Sequence, residues 1–337
     1  MSFEVKHLQK KFGNKVAVED LSFRLEGPGV YALLGTNGAG KSTSIRMMLG
    51  ILSKDHGEVL LNGEKFDTRK VNVGYLAEER GLYPKYPIMD QLMYFASLKG
   101  LSQDAAMERI KYWGDRLKVM EYLFPERKKG KKIKPTLADQ MSKGNQQKIQ
   151  LMAALISDPD FLILDEPLSG LDPVNTELFK SVIREEIDKE KYIIMSSHQM
   201  PVIEEFCEDI TILNRGKAVV HGNLNDIKKS YGRVNLFVKC DEDISSTVNS
   251  LGIRVVSDTP AGIQLKVQNE SEARTLLKHL TDDNKTIVRF ELREPSLHEI
   301  FIESVGENPE DKESAAKDSS LTEDKDANVE GSKAEDM

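Results

Sequence analysis

The sequence predicts an α/β fold in which a mostly parallel core sheet carries antiparallel edge strands and a helical subdomain, followed by a small α+β domain and an acidic tail. The first observation is a set of short apolar runs without polar alternation, separated by helical patterns: Val30–Leu34, Phe161–Leu164 and Tyr192–Met195. Such runs are typical of strands buried on both faces of a parallel sheet. The second observation is the alternating pattern of Phe3–Leu8 and Leu21–Leu25, which favours an antiparallel edge.

The other elements of the larger domain follow from the same periodicities. A fourth buried strand is predicted at Val73–Leu76, an alternating strand at Glu58–Leu61, and a hairpin that turns at Asn214–Gly216. Helical patterns cover five stretches, namely 42–49, 89–99, 103–123, 145–156 and 174–189. We place this domain at residues 1–230, with the helical subdomain at about 84–157.

The third observation is a change of pattern near residue 231. Residues 231–305 read as strand, helix, strand, strand, helix, strand and a last helix, and the order β-α-β-β-α-β is ferredoxin-like. Residues 306–337 contain no aromatic side chain and eleven acidic residues against four lysines. Because such a segment cannot bury enough apolar surface to offset its chain entropy, we expect a disordered acidic tail.

Charge and hydropathy restrict the classes of partner. The tail carries −7 of the formal net charge of −8, so the rest of the chain is nearly neutral and no nucleic-acid partner is expected. No stretch approaches the ~18 consecutive apolar residues of a membrane-spanning helix, and no signal sequence is recognisable. We therefore expect a cytoplasmic protein that reaches the inner face of the membrane through a partner. Cys207 and Cys240 are interpreted as reduced thiols.

A phosphate-binding pattern lies between an apolar strand and a helix. It reads Gly35, Thr36, Asn37, Gly38, Ala39, Gly40, Lys41, Ser42, Thr43, which is the G-x-x-x-x-G-K-[ST] motif. Glycines let the backbone wrap closely around a phosphate, and the N–H groups at a helix N-terminus supply partial positive charge. Lys41 would add a full charge to the β- and γ-phosphate oxygens, and the Ser42 hydroxyl is placed to bind Mg²⁺.

Two carboxylates follow another of the buried strands. Asp165 and Glu166 come directly after Phe161–Leu164, at the carboxyl end of a strand, where open α/β sheets bind their ligands. Asp165 can hold Mg²⁺ through water, and Glu166 can orient or deprotonate an attacking water as general base. Alone, this pattern fits a strand-end turn equally well; together with the Lys41 loop it predicts one shared site.

Further motifs give the subclass. Residues 141–147, Met-Ser-Lys-Gly-Asn-Gln-Gln, resemble the LSGGQ signature of ABC proteins, residues 169–172 resemble their D-loop, and His198 resembles their switch histidine. Phe12 occupies the place of the aromatic residue that stacks on adenine. The chain therefore resembles the ABC ATPase family over about residues 1–222. Taken singly, His198 fits a structural histidine and Phe12 fits a core residue, so these two assignments depend on the whole set.

The resemblance implies a P-loop NTPase of ABC type with ATP and Mg²⁺ as cofactors. In this family, two subunits sandwich two ATP molecules, so Ser142 and Gly144 would contact a nucleotide held by the other subunit. Three positions depart from the family pattern: Lys143 replaces a glycine, Asn145 replaces the signature glutamine, and Glu78 replaces the Q-loop glutamine. A glutamate at position 78 can still bind Mg²⁺.

The implied function is that of the ATP-hydrolysing subunit of an exporter. It would form a homodimer, or a heterodimer with a related subunit, and drive a separate transmembrane permease. The stretches 77–84, 142–148 and 294–301 are most similar to ABC-2 type exporters of the sodium-efflux branch, so sodium is the expected cargo. Export of drugs, peptides or lipids and a non-transport ABC ATPase are the alternatives.

Overall fold

The computed structural model describes residues 2–79, 81–125 and 134–305, so the tail expected from residue 306 lies outside the described residues. The chain divides into two compact units, Met1–Val220 and His221–Met337. The sequence places this boundary at residue 230 instead. The difference arises because helix Leu224–Tyr231, which the sequence assigns to the first domain, groups with the second unit.

A ten-stranded sheet forms the centre of the first unit. Its strands, in chain order, are β1 Phe3–Phe12, β2 Lys15–Leu25, β3 Gly29–Leu34, β4 His56–Leu61, β5 Glu64–Lys65, β6 Val73–Leu76, β7 Phe161–Asp165, β8 Tyr192–Ser197, β9 Asp209–Asn214 and β10 Lys217–Asn223. Their spatial order is β5-β4-β1-β2-β10-β9-β3-β8-β7-β6. The predicted mixed sheet is thereby confirmed.

The parallel part of this sheet runs from β9 through β3, β8 and β7 to β6. Every residue of β7 and β8 is buried, as their unbroken apolar sequences predict. In register, Leu34 lies beside Ser197, and Asp165 lies beside Ser196. The carboxyl ends of these strands therefore meet at one edge of the sheet.

The antiparallel part is formed by β1, which pairs with β2 and with β4, while β4 also pairs with β5. Aromatic side chains join this part to the parallel strands. The ring centroids of Phe3 and Phe161 are 5.5 Å apart, and Phe161 stacks on Tyr192 at 4.6 Å. Both halves of the sheet thus share one hydrophobic core.

Seven described helices belong to the first unit: α1 Lys41–Met48, α2 Ile88–Leu98, α3 Gln103–Arg116, α4 Met120–Leu123, α5 Lys143–Leu155, α6 Pro173–Asp188 and α7 Met200–Ile203. The first six lie in the predicted helical stretches, whereas the four-residue α7 was not predicted. Within the described part of the chain, no helix combines the length and the apolar composition needed to cross a membrane.

The prediction of one helix over 103–123 is wrong, because the chain turns after α3. Lys118 adopts a left-handed backbone with φ 56°. The N–H of Lys118 donates to the carbonyl of Asp115 at 3.1 Å, and that of Val119 donates to Gly114 at 2.9 Å. These two bonds form a Schellman motif, which normally has glycine at the left-handed position. With lysine there, the sequence lacks the usual stop signal.

The second unit contains a separate four-stranded sheet. After α8, Leu224–Tyr231, its elements are β11 Asn235–Cys240, α9 Ser245–Ser250, β12 Arg254–Thr259, β13 Gly262–Lys266, α10 Glu270–Asp282, β14 Ile287–Arg293 and α11 Leu297–Val305. The strand order β12-β13-β11-β14 with antiparallel pairing throughout confirms the ferredoxin-like arrangement. The unit buries a core of its own, which includes Leu236, Val238, Leu265 and Leu276.

Candidate functional site

The loop from Gly35 to Gly40 joins the carboxyl end of β3 to the start of α1. Both of these glycines are required by space: a Cβ at Gly35 would lie 2.2 Å from the Leu213 carbonyl oxygen, and one at Gly40 would lie 2.5 Å from that of Ala17. Helix α1 begins at Lys41 without a side-chain cap. Its first N–H groups therefore lack the usual intrahelical and capping partners, which makes this end of the helix suited to an anion. The structure thus brings together the predicted loop residues Thr36, Asn37, Gly38, Ala39 and Thr43.

Lys41 connects this loop to the end of β7. Its buried Nζ donates to the carbonyl oxygens of Gly35 at 2.8 Å and Thr36 at 3.3 Å. The same nitrogen lies 3.0 Å from Oε1 of Glu166. Both side chains of this ion pair are about 5% exposed or less, so water screens their attraction weakly.

The three predicted magnesium ligands, Ser42, Glu78 and Asp165, lie together. The Oγ of Ser42 lies 3.0 Å from Oδ1 of Asp165, the last residue of β7, and 3.1 Å from Oε2 of Glu78, which follows β6. A hydroxyl group has a single proton, so it can donate to only one of these two carboxylates at a time. The carboxylate that does not receive this proton needs another hydrogen-bond donor or a cation.

The residues around Ser42 fit a magnesium ion. Carboxylate and hydroxyl oxygens are hard ligands of the kind that Mg²⁺ prefers. Asp165 is 1% exposed, and its Oδ2 accepts no hydrogen bond within the described residues. No group of three or more His, Cys, Asp or Glu side chains in the described ranges is arranged to hold a metal ion. Two carboxylates and a hydroxyl would therefore leave the remaining coordination positions to phosphate and water.

Glu166 and His198 form the next part of the site. Oε2 of Glu166 lies 2.8 Å from Nδ1 of His198 and accepts a hydrogen bond from the His198 backbone N–H at 3.3 Å. Glu166 has a left-handed backbone with φ 51°, a conformation that costs a non-glycine residue about 1 kcal/mol or more. Its two carboxylate oxygens thus face two different partners, Lys41 and His198.

The two neighbouring carboxyl groups have opposite pKa shifts. Burial raises the pKa of Asp165, and the negative charges of Glu78 and Glu166 raise it further, against hydrogen bonds from Ser196 and Ser42. Burial alone would also raise the pKa of Glu166, but the His198 hydrogen bond and the Lys41 charge outweigh it and hold that pKa below its ordinary value. Glu166 is therefore ionised at neutral pH and able to accept a proton.

No separate role was predicted for Ser196. Its Oγ donates to Oδ1 of Asp165 at 2.5 Å and accepts from the backbone N–H of Glu166 at 3.0 Å. It therefore positions both carboxylate residues. The available signal was its place next to a predicted strand end: Asp165 and Ser196 are register partners on β7 and β8.

The signature-like segment caps helix α5. Ser142 is the N-cap residue, and its Oγ accepts from the N–H of Asn145 at 3.3 Å. The helix begins at Lys143, two residues before the predicted start, because Ser142 supplies this cap. Ser142 and Lys143 are exposed, and Gly144 is half-buried. Within the described residues, no hydrogen bond joins Ser142 or Gly144 to loop 35–43, so the two surfaces are separate in one chain.

Two amide side chains in the first turns of α5 hold this helix to neighbouring segments. The Asn145 amide donates to the hydroxyl of Tyr122 at 2.9 Å and so points into the helical subdomain. Gln147 Nε2 donates to the carbonyl oxygen of Pro167 at 2.7 Å. Because Pro167 directly follows Glu166, this bond connects the signature helix to the turn that carries the catalytic candidate. The D-loop-like residue Asp172 caps α6 by accepting from Asn175 at 2.9 Å.

Phe12 lies at the end of β1 and is 52% exposed. The ammonium group of Lys10 lies 5.5 Å from the centroid of its ring. An exposed aromatic ring is free to stack on a base, and the alternative interpretation as a plain core residue is excluded by this exposure.

Fold and site define a nucleotide-binding protein of the P-loop class. The family profile described as "ABC transporter" matches residues 18–169, and the one described as "ATP-binding protein DrrA1-3-like, C-terminal domain" matches residues 222–305. The uncharacterized ABC transporter ATP-binding protein YhaQ of Bacillus subtilis is 41% identical over 304 residues, which cover 90% of this chain and 98% of that protein.

A second relative is the Nod factor export ATP-binding protein I of Burkholderia lata, 26% identical over 91% of this chain and 98% of its own length. Among solved structures, the dimeric structure of MJ0796, a bacterial ABC transporter cassette, superposes with a TM-score of 0.58 at 19% identity, covering 66% of this chain and 98% of that one. The identity and coverage of YhaQ establish the family. The chain belongs to the ATP-binding subunits of ABC transporters.

Proposed function

We propose that the chain hydrolyses ATP as one subunit of a dimeric exporter motor and thereby drives a separate membrane permease. The observation that carries this proposal is the single cluster formed by Lys41, Ser42, Asp165, Glu166 and His198. It combines a cation for phosphate, hard oxygen ligands and an ionised carboxylate. Bound Mg²⁺ would neutralise charge on the β- and γ-phosphates.

The residues of the site would act on the bound nucleotide one after another. Lys41 is drawn from Glu166 towards the phosphates, since a phosphate oxygen offers it a second anion. Glu166 then orients the attacking water and accepts its proton at one carboxylate oxygen, while His198 holds the other oxygen in place. Ser196 keeps Asp165 and Glu166 at the sheet edge throughout. Phe12 supplies a face for the adenine ring.

Dimerisation is the second part of the proposal. The N-terminus of α5 offers Ser142, Lys143 and Gly144 to an anion, yet in the described part of its own chain it forms no hydrogen bond to loop 35–43. A second copy, or a related subunit, would bring this helix end to the γ-phosphate of the opposite site. The solved cassette described as dimeric supports this arrangement by similarity of fold.

The helical subdomain is the proposed contact for the permease. Tyr83, Tyr86 and Tyr94 are more than half exposed there, which is unusual for large aromatic side chains unless they meet a partner. The buried Gln91 side chain fixes the first two, since it bonds the backbone of Tyr83 at 2.8 and 3.0 Å and the carbonyl oxygen of Tyr86 at 2.9 Å. This segment begins a few residues after Glu78, so a movement of Glu78 on nucleotide binding would be transmitted along the backbone to these tyrosines.

The cargo assignment stays a prediction. Sodium rests on the sequence resemblance alone, and the relatives described above are named for Nod factor export or for no cargo. Purification of the chain with its membrane subunit, followed by ATP-dependent flux of sodium or of organic cargo in vesicles, tests the assignment. Phosphate release that requires Mg²⁺ is the first measurement; its absence in the complete complex would contradict the proposed motor and favour a regulatory binding protein.

Lys143 provides a test of the dimer. Lys143→Gln should weaken the ATP-induced dimer about two- to thirtyfold, because each of two sites loses an exposed ion pair between lysine and phosphate that is worth about 0.2–1 kcal/mol. Sedimentation velocity at several ATP concentrations measures this in a Glu166→Gln background. Lys111→Gln, which removes another exposed lysine of the helical subdomain, is the matched control. Equal dimer affinities for the two variants would show that Lys143 points to solvent.

A further inference from the structure

We propose that Glu78 makes the Ser42–Asp165 corner a binding site for a divalent cation even before nucleotide arrives, so that cation and nucleotide bind interdependently. This inference rests on the proposed nucleotide site and names the residue that sets its metal affinity. Glu78 is exposed and follows β6, and its carboxylate lies 3.1 Å from Ser42 Oγ.

The first observation is the convergence of two carboxylates on one hydroxyl group. Glu78 Oε2 and Asp165 Oδ1 lie 3.1 and 3.0 Å from Ser42 Oγ. The Ser42 hydroxyl has a single proton, so it can donate to only one of the two carboxylates at a time. Two negative oxygens this close repel each other unless a cation lies between them or beside them.

The second observation is the unused oxygen of Asp165. Its Oδ1 receives the Ser196 hydroxyl at 2.5 Å as well as the contact with Ser42, whereas its Oδ2 accepts no hydrogen bond within the described residues. Asp165 is 1% exposed, so water does not readily supply the missing hydrogen bond to Oδ2. A buried carboxylate oxygen without a donor is costly, and a cation at the corner removes the cost.

The net charge of the cluster also favours a bound cation. Three carboxylates, those of Glu78, Asp165 and Glu166, lie beside the loop, and the ammonium group of Lys41 pairs with Glu166. Lys41 is committed to Glu166 at 3.0 Å, so it does not neutralise the Glu78–Asp165 pair. An amide at position 78 would remove one of these negative charges. Glu78 is exposed, which gives a hydrated cation a route to the corner.

The cation would therefore precede or accompany the nucleotide. Without a cation, the Glu78 carboxylate repels the phosphates of free ATP; with one bound, the same carboxylate helps to hold the counter-charge of those phosphates. The substitution Glu78→Gln should thus change nucleotide affinity in opposite directions with and without metal.

The direct test is titration of the full-length, nucleotide-free chain with Mn²⁺, with free Mn²⁺ followed by electron paramagnetic resonance. We expect one ion per chain, displaced by Mg²⁺, and binding at least about tenfold weaker in Glu78→Gln, since affinity follows the number of charged ligands. Glu79→Gln is the matched control: its carboxylate is exposed, adjacent in sequence and forms no hydrogen bond to Ser42, so its variant should bind Mn²⁺ as the wild type does.

A second measurement excludes a merely structural effect. Binding of a fluorescent ATP analogue should be tighter in Glu78→Gln than in wild type when EDTA is present, and weaker when Mg²⁺ is present. Equal Mn²⁺ affinity in wild type and Glu78→Gln, or no saturable Mn²⁺ binding to wild type below about 5 mM, would overturn the inference. If Mg-ATP is still hydrolysed in that case, the proposed function stands; loss of all nucleotide binding by the wild type would refute the proposed function itself.

Discussion

Glu166→Gln should reduce ATP turnover by at least about 100-fold while nucleotide binding persists. Glutamine has nearly the same shape and keeps one oxygen, which can accept from Lys41 or from His198, but it cannot accept a proton from water. Because the reaction is blocked after binding, the variant should accumulate as an ATP-bound dimer. Phosphate release and size-exclusion chromatography with Mg-ATP measure the two outcomes.

Glu190→Gln is the control for this substitution. Glu190 is also a glutamate with a left-handed backbone, φ 56°, but it is exposed and lies outside the site. Its turnover should match that of the wild type. Hydrolysis by Glu166→Gln at a rate near wild type would mean that another group activates the water.

Lys41→Met should affect both binding and folding. Loss of the charged contacts to phosphate should weaken ATP binding by about 1.5–3 kcal/mol, or roughly 10- to 150-fold. Glu166 would keep its charge in a buried position without the lysine, which costs about 3–5 kcal/mol of stability at neutral pH. Urea titration followed by the fluorescence of Trp113, the only tryptophan in the chain, measures this loss in the first unit.

The pH dependence of the Lys41→Met effect has a definite sign. In the wild type the pKa of Glu166 is lowered, so its contribution to stability is present at neutral pH and is lost as the pH falls through that value. Without Lys41, only His198 opposes the effect of burial, so the pKa of Glu166 should be higher than in the wild type and its protonation easier. The deficit in stability should therefore be largest at neutral pH and smaller near pH 5.

The double variant Lys41→Met/Glu166→Gln separates the ion pair from other effects. Removing both charges leaves no unpaired buried ion, so the double variant should be more stable than Lys41→Met alone. Additive losses of stability would show that the two side chains do not interact energetically, despite the 3.0 Å distance between them.

The sequence predicted those parts of the fold that local patterns determine. The buried strands, the phosphate loop and the carboxylates of Asp165 and Glu166 were found because each follows a short-range rule of periodicity or spacing. The end of α3 was missed because Lys118 occupies a position that glycine usually marks. Ser196 was missed because its role depends on the register between β7 and β8, which links residues 31 positions apart.

Other contacts do not follow from sequence spacing. That Glu78 and Asp165 both lie beside Ser42 depends on the distance between two strand ends across the sheet, and it was expected only from the resemblance to the ABC family. Similarly, the inward direction of the Asn145 amide depends on Tyr122, which belongs to another helix of the same subdomain. The Glu78 carboxylate thus lies beside Ser42, whereas the Asn145 amide lies within the helical subdomain.

The ferredoxin-like unit has its own hydrophobic core. We therefore expect it to unfold in a cooperative transition of its own, distinct from that of the unit with the nucleotide site. A calorimetric scan of the whole chain should then contain two endotherms instead of one. ATP stabilises only the native form that binds it, so it should move one peak upwards and leave the other in place. A single melting temperature would consequently be an incomplete description of how heat inactivates this protein.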